Sequence, residues 1–265
     1  MSKTIIIIGA GLAGLSAALQ AAENGCNVKL VSSLPSERAQ SVMAEGGINA
    51  ALNTKDENDS PEEHFTDTIK AACGLADPNA VWGMTQAAPE LVHWLLKLGV
   101  QFNMNGYDDV DLRNFGGQKK KRTAFAQSDT GKQIMTAMID AVRRKEASGM
   151  VERFSHHSFL TLRLCGNICC GCVIRDEYSQ ETVELPGDAV IVATGGMHGL
   201  FGNTTGSLSN TGEVTAELFR LGVPLANGEM IQYHPTTVKC GGKRMLISEA
   251  ARGEGGRLFA MKDGK

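Results

Sequence analysis

A glycine turn that follows the first apolar run of the chain constrains the fold more than any other feature. Ile5 to Ile8 is short, apolar and β-branched, which is typical of a buried parallel strand. Gly9 to Gly14 then has the spacing G-x-G-x-x-G, and a helical stretch runs from about Leu15 to Asn24. Asn27 to Ser32 is a second apolar strand. This order predicts an α/β fold with a dinucleotide-binding, doubly wound parallel sheet.

Each residue of the turn has its own predicted task. Gly9 permits the tight turn, Gly11 lets the backbone approach a pyrophosphate, and Gly14 lets the helix and strand pack closely. Ala10 and Ala13 complete the turn, whose helix N-terminal amides would bind the anion. We therefore assign the whole turn to a nucleotide cofactor.

Two neighbouring segments refine the choice of nucleotide. NAD-binding folds usually have an acidic residue at the end of the second strand that hydrogen-bonds the ribose, and here Ser32 and Ser33 stand at that position. This makes NAD a poorer candidate but does not exclude FAD, because a serine can also hydrogen-bond a ribose. Further along, Gly46 and Gly47 are adjacent, and two glycines let the backbone lie against a flat ring system without a Cβ collision. An ordinary turn is the alternative interpretation of that segment.

The middle of the chain alternates between helical and extended patterns. A polar loop ends at Ser60-Pro61, which begins a helix through Cys73, and Asp77-Pro78 begins another. From Ser158 to Val192 the apolar period changes to two, which predicts an antiparallel β segment inserted into the parallel fold. The last of these strands, Ala189 to Ala193, leads into a second glycine turn at Thr194-Gly195-Gly196.

Composition excludes several classes of protein. The net charge is −3 and the one basic run, Lys119 to Arg122, is typical of a solvated loop, so no nucleic-acid surface is expected. No stretch reaches the roughly twenty apolar residues of a membrane span, so we expect a soluble, cytoplasmic chain.

Seven cysteines without a secretion signal favour a reducing compartment. We interpret the cluster Cys165, Cys169, Cys170 and Cys172 as small buried hydrophobes, with metal binding as the alternative.

A third motif lies near the end of the sequence. His234 is followed by Pro and Thr, and Ser248 and Glu249 precede Arg252 by a short spacing. A histidine and a hydroxyl suit a carboxylate oxygen, and a Glu-x-x-Arg pair on one helical face could relay a proton. Taken alone, His234 would be assigned a structural role.

As a set, these motifs resemble the N-terminal half of the flavoprotein subunits of fumarate reductase and succinate dehydrogenase. L-aspartate oxidases share most of the same motifs. The resemblance covers almost the whole chain, in the order Gly9 to Gly14, Arg38 to Leu52, Phe115 to Gly117, Arg122 to Gly131, Ala193 to Gly196, Thr204-Thr205 and His234 to Gly256.

The resemblance implies roles for individual residues. The residues expected to bind FAD are Gly9, Ala10, Gly11, Ala13, Gly14, Ser32, Ser33, Gln40, Ser41, Gly46, Gly47, Ala193, Thr194, Gly195 and Glu213. The residues expected to line the dicarboxylate pocket or deliver a proton are Phe125, His234, Ser248, Glu249 and Arg252. No metal site is expected. Residues 1–227 would form the FAD-binding domain, and residues 228–265 would be the incomplete beginning of a capping domain.

The resemblance also implies an activity and partners. The chain would reduce fumarate to succinate by hydride transfer from FAD and would receive electrons from an iron-sulfur subunit, with any membrane contact made through partner subunits. Gln40 stands where membrane-bound relatives have a histidine bonded to flavin, so FAD should be non-covalent. Family members are about twice as long, which suggests a fragment or half of a split subunit. An amino-acid oxidase of the L-aspartate type and a non-catalytic FAD-binding module are the alternatives.

Overall fold

The chain divides into two compact units. The structure is a computed structural model that describes residues 2–115, 118–241, 243–248 and 250–259. We call one part the sheet unit; it comprises Met1–Met43, Ile134–Pro235 and Cys240–Arg244. The helical unit comprises Ala44–Gln133, Thr236–Lys239 and Met245–Lys265. The predicted boundary between an FAD-binding domain and a capping domain at residue 228 stays a prediction.

The secondary structure alternates between helices and strands. The helices are α1 (Leu12–Glu23), α2 (Pro61–Ala71), α3 (Pro78–Leu98), α4 (Thr130–Ala147), α5 (Glu213–Arg220) and α6 (Ala250–Gly253). The strands are β1 (Thr4–Ile8), β2 (Asn27–Ser32), β3 (Ile48–Asn49), β4 (Leu112–Arg113), β5 (Thr123–Ala124), β6 (Val151–Ser155), β7 (His157–Cys165), β8 (Ile168–Asp176), β9 (Thr182–Pro186), β10 (Ala189–Val192), β11 (Thr237–Cys240) and β12 (Lys243–Leu246).

A parallel sheet with the strand order β10-β1-β2-β6 is the frame of the sheet unit. Ile7 of β1 pairs with Leu30 of β2 on one side and with Ile191 of β10 on the other. Ile7 and Leu30 are fully buried because β1 and β2 are central strands, and Leu15 of α1 is buried as well. This arrangement confirms the predicted α/β fold with a parallel sheet.

Strands β7, β8 and β9 form the predicted antiparallel segment. Their buried residues Phe159, Ile174 and Leu185 share one apolar core with Ile8 and Val31 of the parallel sheet. The prediction was wrong for Ala189 to Ala193, because β10 leaves the antiparallel segment and pairs in parallel with β1. Its short apolar run gave no means of telling the two pairings apart.

The helical unit has a small sheet with the order β3-β5-β4, accompanied by α2 and α3. Ser60 caps α2 by accepting a hydrogen bond from the Glu63 amide at 3.2 Å, and Asp77 caps α3 through the Asn79 amide at 2.8 Å. Helix α3 begins at the predicted position and runs unbroken past Pro89.

A buried ion pair corrects the interpretation of the basic run. The Arg122 side chain is 1% exposed and donates to both oxygens of Asp59, at 3.1 and 2.8 Å. A second carboxylate, that of Asp67, lies 3.0 Å from the same guanidinium. Arg122 is therefore a structural residue of the helical unit and not part of a solvated loop, because two carboxylates compensate its burial.

The cysteine cluster also differs from expectation. Cys172 is buried, as predicted, but Cys165 and Cys170 form a disulfide, and Cys165 is exposed. Among the described residues, no group of histidine, cysteine or acidic side chains is arranged to hold a metal ion. No helix within the same residues combines the length and apolarity that crossing a membrane requires.

Candidate functional site

The glycine turn between β1 and α1 contains two glycines that the fold itself requires. Gly9 has a φ of +109°, and a Cβ on it would lie 2.3 Å from the Ala193 carbonyl oxygen. A Cβ on Gly14 would lie 1.8 Å from the Gly9 carbonyl oxygen. Both distances are far below van der Waals contact, so these glycines hold α1 and β10 close to the turn.

Gly11 is different, because nothing in the protein occupies the position of its missing side chain. Its φ of −81° is accessible to any residue. A Cβ there would make only ordinary contacts, 3.5 Å from Ser41 Oγ and 3.8 Å from Ala39 Cβ. A glycine that the fold does not need is explained by a ligand that approaches the backbone closely.

A cavity of about 420 Å³ opens beside this turn, within the sheet unit. It lies at the carboxyl ends of β1, β2 and β10 and at the N-terminus of α1, which is where doubly wound sheets bind nucleotides. The predicted cofactor residues that line it are Gly9, Ala10, Gly11, Ala13, Ser32, Ser33, Gln40, Ser41, Ala193, Thr194, Gly195 and Glu213. Gly14 does not line the cavity and acts through its packing against Gly9.

Ser32 offers a hydrogen-bonding group to whatever fills the cavity. It ends β2, is 7% exposed, and its hydroxyl has no protein partner. A buried hydroxyl without a partner is costly, and a ribose hydroxyl in the cavity would satisfy it. Together with the space at Gly11, this hydroxyl fits the sugar and pyrophosphate of a dinucleotide such as FAD.

Gly46 and Gly47 lie in the helical unit and do not line this cavity. A Cβ on Gly46 would lie 2.8 Å from the Phe115 ring, and one on Gly47 would lie 2.6 Å from the Ala124 carbonyl oxygen. Gly47 also has a φ of +131°. Both glycines are thus required by close packing on β5 and Phe115, whether or not they also face a ring system.

Arg113 holds this glycine segment, although no motif in the sequence analysis included it. Its guanidinium donates to the carbonyl oxygens of Glu45 at 3.2 Å and of Gly46, and to that of Gln127 at 3.3 Å. The guanidinium carbon lies 4.4 Å from the centre of the Phe125 ring, which is cation-π geometry. Burial lowers the pKa of Arg113 from its ordinary value. Arg113 thereby ties the predicted flavin segment to a predicted substrate residue.

The predicted catalytic residues fall in different units. Phe125, Ser248 and Arg252 belong to the helical unit, whereas His234 belongs to the sheet unit. Glu249 lies outside the described residues, as do Gly116 and Gly117.

Within the helical unit, the segment that ends the His-Pro-Thr motif pairs with the segment leading into Ser248. The Ile247 amide donates to the Thr236 carbonyl at 3.0 Å, and the Thr236 hydroxyl donates to the Ile247 carbonyl at 3.2 Å. Ser248 then precedes α6, which carries Arg252. Thr236 is 4% exposed, so this pairing is part of the fold of the unit.

Known proteins resemble this chain along its whole length. The family model of the FAD binding domain matches residues 4–265. The succinate dehydrogenase flavoprotein subunit of Bacillus subtilis is 44% identical over 99% of this chain and 45% of its own length. The 8-methylmenaquinol:fumarate reductase flavoprotein subunit of Wolinella succinogenes is 35% identical over 97% of this chain and 41% of its own length.

A more distant relative and a solved structure agree with this assignment. The L-aspartate oxidase of Streptomyces coelicolor is 33% identical over 97% of this chain and 45% of its own length. The structure of the Mycobacterium smegmatis Sdh1 complex in the apo form superposes with a TM-score of 0.88 at 30% identity, covering 99% of this chain and 46% of that one. This chain spans less than half the length of these relatives. It belongs to the FAD binding domain family, and its relatives include the flavoprotein subunits of succinate dehydrogenase and fumarate reductase.

Proposed function

We propose that this chain is the FAD-binding part of a flavoprotein subunit that reduces fumarate to succinate. The observation that carries the proposal is the cavity beside Gly11, where the fold leaves room for a pyrophosphate and Ser32 has an unused hydroxyl. The similarity to succinate dehydrogenase and fumarate reductase subunits extends over nearly all of this chain, which supports the choice of a C4 dicarboxylate as the substrate.

Two sets of predicted residues would contact the cofactor. In the cavity, the amides at the N-terminus of α1 would bind the pyrophosphate and Ser32 would bind the ribose. Gly46 and Gly47 would lie along the flavin ring, kept in place by Arg113. Bound FAD supplies hydride transfer, which no amino-acid side chain can perform.

Gln40 decides how the cofactor is attached. It lines the cavity and lies in the short 3-10 helix Gln40–Met43. A carboxamide has no nucleophilic ring nitrogen, so FAD would be held by non-covalent contacts alone. A flavin held in this way generally has a lower reduction potential, which favours giving electrons to fumarate over taking them from succinate.

The substrate would be bound by the motifs near residues 234 and 248. His234 and Ser248 would donate hydrogen bonds to a carboxylate and orient it, and the Phe125 ring would form an apolar wall. Glu249 and Arg252 would relay a proton toward the substrate. Within the helical unit, the pairing of Thr236 with Ile247 brings the last residue of the His-Pro-Thr motif next to the residue before Ser248.

Electron supply would come from partner subunits. The relatives from Bacillus subtilis and Wolinella succinogenes are named as flavoprotein subunits, and two similar solved structures are those of the Mycobacterium smegmatis Sdh1 complex and of a quinol-fumarate reductase. We propose an iron-sulfur protein as the direct electron donor of this chain, with any membrane association made through further subunits.

The similarity to the L-aspartate oxidase of Streptomyces coelicolor supports a second candidate activity, oxidation of an amino acid with oxygen or fumarate as the acceptor. Steady-state assays distinguish the two. A protein completed to the length of its relatives should oxidise a reduced viologen dye when fumarate is added, and should form no hydrogen peroxide from L-aspartate. Peroxide formation with L-aspartate would instead assign the chain to the oxidases. FAD binding without either activity would indicate a non-catalytic FAD-binding module.

A further inference from the structure

Three cysteines lie at the tip of the β7–β8 hairpin, apart from the nucleotide cavity. Cys165 is the last residue of β7, and Cys169 and Cys170 lie at the start of β8, across the turn at Gly166-Asn167. Cys165 and Cys170 form a disulfide with a Cα–Cα distance of 6.0 Å. None of the cavity residues belongs to this tip.

A β-bulge makes the disulfide geometry accessible. Cys165 pairs with Ile168 across the hairpin, so Cys170, two residues further along, lies on the same face as a diagonal neighbour. Diagonal neighbours in a regular hairpin are about 7–8 Å apart, beyond the roughly 4.4–6.8 Å that a disulfide spans. The register shifts between Arg163 and Leu164, leaving Cys170 without a partner opposite, and this bulge accounts for the shorter distance.

The position of Gly171 fixes the bulge. Its φ is +139°, and a Cβ on it would lie 2.1 Å from the Leu185 carbonyl oxygen of β9. Only glycine fits this approach, so the backbone holds Cys170 in place from the other side of β8.

The same segment offers thiols of contrasting accessibility. Cys165 is exposed and Cys170 is half-buried, and their neighbours Leu164 and Ile168 are 47% and 72% exposed. Cys172, two residues beyond, is fully buried, and burial raises its pKa to about 11. A thiol reagent can therefore reach the tip but not Cys172.

We propose that Cys165 and Cys170 form a reversible thiol–disulfide site, reduced and re-formed by exchange with a dithiol or with glutathione. The thiolate of the reductant attacks one sulfur of the pair and forms a mixed disulfide, and the other cysteine leaves as a thiolate and takes a proton. A second thiol of the reductant then releases the remaining cysteine. The net change is two electrons and two protons gained by the protein, with one disulfide formed in the reductant.

Reduction of this disulfide would affect the tip of the hairpin and not the nucleotide cavity. The opposite end of β7 contributes His157, Ser158 and Phe159 to the cavity, and the Thr161 hydroxyl anchors β7 to Glu217 of α5 at 2.8 Å. Those contacts lie at the base of the hairpin, whereas the disulfide closes its tip. Reduction should therefore loosen the tip while the cavity keeps its lining.

The test is thiol labelling of the native chain across a series of glutathione redox buffers, followed by peptide mapping. Cys165 and Cys170 should become labelled together, in a single two-electron transition, while the exposed Cys73 and Cys240 are labelled throughout. Cys172 should be labelled only after unfolding. Hydrogen exchange of amides at the tip should accelerate by about tenfold on reduction.

Single serine variants distinguish the Cys165–Cys170 pair from the neighbouring Cys169. Cys169→Ser should leave the transition unchanged, because Cys169 lies on the other face, and Cys165→Ser should abolish it. Free labelling of Cys165 and Cys170 in oxidised glutathione, a disulfide that resists every native reduction, or loss of the transition in Cys169→Ser would each overturn the proposal. These readouts do not depend on flavin or fumarate, so they fail or succeed separately from the proposed function.

Discussion

Substituting Gly11 and Gly14 by alanine tests whether the glycine turn binds a ligand or only shapes the fold. Both changes add the same atom to the same turn, but the surroundings differ. The new Cβ of Gly11→Ala would be 3.5 Å from its nearest neighbour, Ser41 Oγ, whereas that of Gly14→Ala would be 1.8 Å from the Gly9 carbonyl. We therefore expect Gly11→Ala to weaken FAD binding and Gly14→Ala to lower the stability of the fold.

The expected magnitudes follow from these contacts. Gly11→Ala should change the free energy of unfolding by less than about 1 kcal/mol, because its backbone is unstrained and the added methyl group meets no clash. The same methyl would displace a pyrophosphate from the helix amides. Losing two charged hydrogen bonds of about 1.5–3 kcal/mol each should weaken FAD binding by roughly a hundredfold or more. In Gly14→Ala, the added methyl group must push α1 away from the turn, which should lower the free energy of unfolding by about 3 kcal/mol.

Urea denaturation and titration of FAD fluorescence measure these two quantities on the same samples. We expect a stable Gly11→Ala chain that binds FAD poorly, and a Gly14→Ala chain that is destabilised. A Gly11→Ala chain that binds FAD within threefold of the original affinity would refute the ligand argument. A Gly14→Ala chain of unchanged stability would refute the packing argument.

Further predictions concern attachment, positioning and pH. Acid precipitation should release all FAD into the supernatant because Gln40 cannot bond to it, and flavin fluorescence on the denatured band would contradict this. Arg113→Met should cost about 2 kcal/mol of stability in urea denaturation and weaken FAD binding, since the Gly46 carbonyl and the Phe125 ring lose a charged partner; Arg113→Lys should recover part of both. Burial lowers the pKa of His64 from its ordinary 6.5, so stability should fall as pH drops below that value, where the unfolded chain binds a proton that the folded chain does not. His64→Asn should flatten this dependence, and an unchanged pH profile would exclude the explanation.

The sequence correctly predicts the elements of the fold that depend on residues close together in the chain. The strand, turn and helix around Gly9 to Gly14 follow from apolar periodicity and glycine spacing within about thirty residues. The caps at Ser60 and Asp77 likewise mark the starts of α2 and α3.

The features that sequence reasoning missed depend on partners far away in the chain. Arg122 is buried because Asp59, 63 residues earlier, is there to pair with it. Strand β10 joins β1 across more than 180 residues, and nothing in its four residues specifies that partner. The disulfide depends on a bulge at Cys170, which periodicity cannot reveal. Arg113 could have been suspected only from its position two residues before the Phe115 motif.

Fumarate-dependent oxidation of a reduced viologen dye measures the activity that we propose for this chain. We expect no useful rate from residues 1–265 with FAD bound, because they span less than half the length of the related flavoprotein subunits. Adding the polypeptide that corresponds to the rest of the relatives' length should produce turnover, and His234→Ala should then reduce it by roughly a hundredfold. Full activity from residues 1–265 alone would show that the missing length is not needed for catalysis, and no activity from the completed protein with FAD bound would exclude the proposed function.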